Sequence, residues 1–172
     1  EELRLAGSVS AEGHGFDFYS PETRADVTLL LDTAKFGRID VSSTNAHVSL
    51  DKGKMGMEMA CDNDVLQTEL GLTGSISEES LDADLDLQLP FVDFKAMGLS
   101  EKTLEVKTNG RVKANYNWNE LFKVDAFVRG LDMRIGKEKL LTDDFKLYAE
   151  SMPDSTAAVM KPGALSFDFR SP

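Results

Sequence analysis

Chemistry-bearing residues are scarce in this chain: its 172 residues include one cysteine, one tryptophan, two histidines and five prolines. A single cysteine, Cys61, excludes an internal disulfide and leaves the redox compartment open. His14 sits in EGHG and His47 in NAHVSL, with no HxxxH, CxxC or ExxH spacing to make a transition-metal site and no GxSxG elbow to activate a serine. No enzyme activity and no cofactor are therefore expected. Long apolar runs are missing too: the longest is Ala157–Met160, and Thr28 interrupts VTLLL, so no segment has the length of a membrane helix. The chain opens on Glu1-Glu2 within a strand-like pattern, without Met and without a basic leader, which suggests a segment of a longer protein.

Negative charge and alternation are plentiful instead. Net charge is −11, with the acids spread along the chain rather than gathered in a tail. Such a field repels phosphate backbones and anionic headgroups, which argues against nucleic acid as a partner. An apolar content of 41% against 28% charged residues places the chain among folded rather than disordered sequences.

Period-two patterning dominates. SLDADLDLQL puts Leu81, Ala83, Leu85, Leu87 and Leu89 on one face and Asp82, Asp84, Asp86 and Gln88 on the other, an alternation that a helix cannot use. Met55, Met57, Met59 and Cys61 alternate likewise, as do Leu66, Thr68, Leu70, Leu72, Gly74 and Ile76. Polar or glycine punctuation recurs every 8 to 12 residues or so, the rhythm of an antiparallel meander. The pattern predicts one all-β unit over residues 1–172, with eleven or twelve strands. Turns are expected at Ala11–Gly15, Glu78–Ser80, Asn109-Gly110 and Gly136-Lys137, among others. One short helix is predicted near 90–99, opened by Pro90, carrying Phe91, Phe94 and Met97 at spacing three, and stopped by Gly98.

A phrase is repeated. ELRLAGSVS at Glu2–Ser10 and ELGLTGSIS at Glu69–Ser77 share six of nine positions, and EVKTNGRVK at Glu105–Lys113 is a weaker third copy. In each, a glycine (Gly7, Gly74, Gly110) continues the apolar phase of its strand. An inward glycine leaves a notch that marks a bend, a bulge or a close approach. The copies have no strict period, so they read as modules of a meander rather than of a tight solenoid.

Single residues offer less. Cys61, in phase with the methionines, reads as a small buried apolar side chain. The Asp82, Asp84 and Asp86 ladder is too widely spaced for one calcium ion and reads as a solvated outer face. Tyr116 and Trp118 in NYNWNELF suit aromatic closure of a turn better than a sugar platform. The collective feature is stronger: a long meander with one aliphatic, Met-rich face and no helices must fold that face on itself, pair it, or hold an apolar ligand with it.

The run from Leu66 to Ser151 resembles the AsmA/TamB-like proteins of diderm bacteria, especially the Bacteroidota versions. The resemblance is carried by DFKAMGLSEKTLEVKTNGRVKAN and by VRGLDMRIGKEKLLTDDFKLYAES, in which a strand ends in Gly-Leu-Asp and another follows a glycine-containing turn. It implies an elongated, half-open β-structure, taco-like, with an apolar groove for phospholipid acyl chains. It also implies a periplasmic setting, with an inner-membrane anchor and an Omp85-class outer-membrane barrel engaged through regions outside this chain. On that expectation Met55, Met57, Met59, Leu70, Leu72, Ile76, Leu81, Leu85, Leu87 and Leu89 line the groove. The rival expectations are a closed β-sandwich scaffold and a carbohydrate-binding module using Tyr116 and Trp118. Exposed strand edges at both ends invite edge-to-edge self-association.

Overall fold

A computed structural model describes residues 3–20, 22–117, 121–152, 155–162 and 167–171. They form thirteen strands: β1 (Leu3–His14), β2 (Arg24–Phe36), β3 (Ile39–Asp40), β4 (Thr44–Asp51), β5 (Lys54–Asp62), β6 (Leu66–Ile76), β7 (Ser80–Asp93), β8 (Leu104–Asn117), β9 (Leu121–Ile135), β10 (Glu138–Thr142), β11 (Phe145–Met152), β12 (Ser155–Pro162) and β13 (Phe167–Ser171). All belong to one antiparallel sheet. Eleven follow one another in the order β1-β2-β4-β5-β6-β7-β8-β9-β11-β12-β13, while β3 pairs only the end of β2 and β10 only the end of β9. Among the described residues the sheet does not close: β1 pairs only with β2, and β13 only with β12. The expected all-β meander is present as a curled, half-open sheet.

Short connections explain the unbroken meander. Asp51-Lys52-Gly53-Lys54 has both central residues at positive φ, 53° and 73°, the type I′ geometry whose twist matches a two-residue hairpin. Ser77 and Ser80 close the β6–β7 hairpin, with the Ser77 hydroxyl accepting from the Glu79 and Ser80 amides. Two segments expected as turns continue strands instead. Ala11–His14 stays in β1, and Asn109-Gly110 lies in the middle of β8, because their neighbours Val27, Ala25 and Val128 hold them in the ladder despite weak local strand preference. β9 likewise does not stop at Gly-Leu-Asp; Gly130, at φ 56°, is the extra residue of a bulge, and the strand runs on to Ile135.

The helix predicted near 90–99 is not formed among the described residues. Pro90 lies in β7, where the pairing with β8 skips register between Leu89 and Val92, so the ladder gives up a bond at the residue that has no N–H to donate. Beyond β7 the chain makes a single turn. The Asp93 carboxylate accepts from the Lys95 and Ala96 amides, Met97 N–H bonds the Asp93 carbonyl, and Gly98 at φ 76° reverses the chain at once.

This turn packs at one margin of the sheet. Gly98 lies against the aliphatic stem of Arg38, and the margin holds the buried residues Ala34, Ser42, Thr44, Cys61, Thr68, Val92 and Met97. Asn63 ties it together: its amide donates to the carbonyls of Asp40 and Ser42, and its oxygen accepts from the Val65 and Leu66 amides. Elsewhere the sheet has no second layer among the described residues. The accessible surface is 11853 Å², where a compact chain of 18.9 kDa exposes about 8300 Å².

Candidate functional site: an apolar trough

The register converts the alternation of each strand into rows that run across the sheet. One row reads Ala11, Val27, Val48, Met57, Leu72, Leu85, Val112, Ala126 and Leu147, crossing nine strands without a polar residue. Pairing continues it to Met160 and Phe167 in β12 and β13. A second row passes through Val9, Leu29, Ala46, Met59, Leu70, Leu87, Gly110, Val128 and Phe145. A third, through Leu50, Met55, Gly74, Ala83, Ala114 and Val124, consists of small and flexible residues.

All ten residues expected to line the groove lie on this face. Met55, Met57, Met59, Leu70, Leu72, Leu85 and Leu87 occupy the three rows, Ile76 and Leu81 pair at the far margin, and Leu89 stands opposite Thr108 beside the Pro90 bulge. Each is half-buried. In β6 and β8 the apolar phase is the sheltered one and its alternate is exposed except at Gly71 and Glu105, as on the concave side of a curled sheet. No large side chain is wholly buried among the described residues.

Sequence reading missed the part of the trough supplied by β2, β4 and β9. The signal in VTLLLDTAKF is hidden by a bulge: Ala6 pairs with Thr33 and Gly7 with Leu31, so Asp32 is the extra residue and the inward set shifts from Val27, Leu29 and Leu31 to Ala34 and Phe36. Cys61 is buried as expected, its thiol 3.5 Å from the Ser42 carbonyl. The neighbouring hydroxyls are satisfied locally, Thr44 donating to the Val41 carbonyl and Thr68 to that of Gln88.

The opposite face is polar. Arg111 binds Asp84 through two nitrogens at 2.6 and 2.5 Å, Lys113 lies 3.6 Å from the same carboxylate, and His47 meets Asp26 at 2.8 Å. The Arg111 hydrogen bonds hold the Asp84 carboxyl below the usual aspartate range. Local dips on this face include one of about 500 Å³ beside Thr28, His47, Glu58 and Gly71, and one of about 440 Å³ beside Arg111, Phe127, Lys146 and Tyr148. They are gaps between side chains of a single layer, and neither joins a nucleophile to a base. Among the described residues no group of three or more His, Cys, Asp or Glu is arranged to hold a metal, and no helix is long and apolar enough to cross a membrane.

Tyr116 falls in the apolar phase between Leu81 and Phe122, edge-on to the Phe122 ring at 6.2 Å; Trp118, the other half of the sugar-platform expectation, lies outside the described residues. The arrangement therefore offers a long, wet-edged hydrocarbon surface backed by a charged one. No family model, curated protein or solved structure matches this chain.

Proposed function

We propose that this chain is a segment of a lipid track that shelters phospholipid acyl chains along the apolar face of the curled sheet, within a diderm cell envelope. The observation that carries the reading is the row from Ala11 to Leu147, unbroken by polar residues and left half-open to solvent. The resemblance of Leu66–Ser151 to AsmA/TamB-like proteins points the same way, and with it come the periplasmic setting, the anchor and the barrel partner outside this chain.

Dimensions favour a track over a pocket. With strands about 4.8 Å apart, the eleven strands of the main path span about 48 Å, roughly three times the ~15 Å of hydrocarbon in one bilayer leaflet. Energetics favour loose holding. Full burial gives about 0.8 kcal/mol per methylene, so a tail of about sixteen methylenes with one side to water gains about 6 kcal/mol, comparable with the ~4–15 kcal/mol cost of association. Such a tail is retained weakly and slides between equivalent rows, and the methionines adapt to its position.

Purified from a lipid-containing host, the chain should carry phospholipid detectable by extraction and mass spectrometry. Leu85→Asp should abolish that cargo while preserving the β-sheet circular dichroism, because Leu85 lines an open wall instead of a sealed core. A wild-type chain that carries no lipid and binds no acyl probe would sink the reading.

A further inference from the structure

Two aromatic rings stand in the polar phase of the sheet. The register carries Asp86, Arg111, Phe127 and Lys146 along one polar row and Asp84, Lys113, Asp125 and Tyr148 along the next, so Phe127 and Tyr148 are diagonal neighbours across β9 and β11. Both are half-buried among charged side chains. Lys146 and Arg129 stand over the Phe127 ring, at 5.8 and 5.9 Å from its centre, and neither has an acidic partner among the described residues. In a chain of net charge −11, these two cations are left to meet an anion from outside. Two dips flank the ring and share it with Arg111. One, of about 440 Å³, adds Lys146, Asp125 and Tyr148; the other, of about 380 Å³, adds Arg129, Asp86 and Asn109. Each therefore offers an apolar ring wall, a cation without a counterion and a carboxylate.

We infer that this face binds an acidic oligosaccharide, two consecutive uronic acid units sitting astride Phe127. A sugar ring lays its C–H face on the aromatic wall, and its carboxylate takes charge-assisted hydrogen bonds from Lys146 in one dip and Arg129 in the other. Its hydroxyls donate to Asp125 and Asp86; the Asp125 carboxylate accepts no hydrogen bond among the described residues. Two dips of the same chemistry, side by side, suit a polymer whose units repeat. Other partners fit less well. β8, β9 and β11 are interior strands with neighbours on both sides, so a peptide finds no edge to extend. Nucleic acid would bring a phosphate at every unit against Asp86, Asp125 and the acidic field of the chain. The site lies on the face away from the trough and is independent of what fills it.

Isothermal titration calorimetry of the full chain with oligomers of galacturonic and of mannuronic acid, beside neutral galactose oligomers of equal length and sodium sulfate, tests this. An acidic oligomer should bind with an affinity that falls as salt is added, and the neutral oligomer and sulfate should each bind at least about tenfold more weakly. Phe127→Ala should weaken binding by about tenfold through loss of the shared wall. Arg129→Gln combined with Lys146→Gln should do the same, and because both side chains are exposed that variant should keep the wild-type melting profile. Leu85→Asp, on the trough face, should bind as the wild type does. Binding of neither acidic oligomer, equal binding of the neutral one or of sulfate, indifference to either site variant, or loss of binding through Leu85→Asp would each overturn the inference.

Discussion

Glycine at the repeated phrase is a backbone requirement. A Cβ on Gly7 would collide with the Leu30 carbonyl and one on Gly74 with that of Asp82, while Gly110 has the Phe127 carbonyl 3.1 Å from the same position. The notch is thus occupied by the neighbouring strand, which leans over the glycine and lets the sheet bend, and it leaves no space for a ligand. Gly71, three residues before Gly74, faces the polar side, and a Cβ placed there would meet nothing within 4 Å. Gly74→Ala should therefore destabilise the fold by about 1–3 kcal/mol through overpacking, whereas Gly71→Ala should be neutral or stabilising by about 0.4–1 kcal/mol through the unfolded state. Urea unfolding of the two variants, on one strand but on opposite faces, checks both signs.

At the scale of the elements, the polar face works through cross-strand charge. β7 presents Asp82, Asp84 and Asp86 to Asn115, Lys113 and Arg111 of β8, and the Arg111 guanidinium reaches diagonally to grip Asp84. Because the folded-state pKa of Asp84 is depressed, its contribution is present above the unfolded aspartate value, about 3.9, and is lost as pH falls below that value through the folded one. Asp84→Asn should flatten the acid limb of the stability curve below about pH 4 and leave its neutral-pH shape unchanged, as read from thermal melts across pH. The strands are legible from alternation because each has one wet and one sheltered face. The turn after Asp93 reads as a helix in the sequence because Phe91, Phe94 and Met97 mimic helical spacing. Phe91 and Val92 in fact belong to a bulged strand, and only Met97 is buried by the turn.

At the scale of the whole molecule, a sheet with no second layer among the described residues has two consequences. Its surface exceeds that of a compact chain, and its stability rests on ladder bonds and half-burial, with a small core confined to the Asn63 margin. X-ray scattering should give a radius of gyration well above the ~16 Å expected for a compact chain of this length; a value near 16 Å would mean the trough closes in solution.

Alternation alone determined which residues share a face, since a strand points successive side chains to opposite sides whatever surrounds it. That was enough to put the ten residues expected to line the groove on one face and to give the all-β class. It could not determine whether that face meets a second layer or water, because the same alternation serves a closed sandwich and an open trough. Nor could it carry the phase through Asp32, Pro90 or Gly130, where one extra residue shifts every later side chain. Tertiary structure decided both: pairing order left β1 and β13 unjoined, and the bulges brought the aliphatic residues of separate strands into continuous rows.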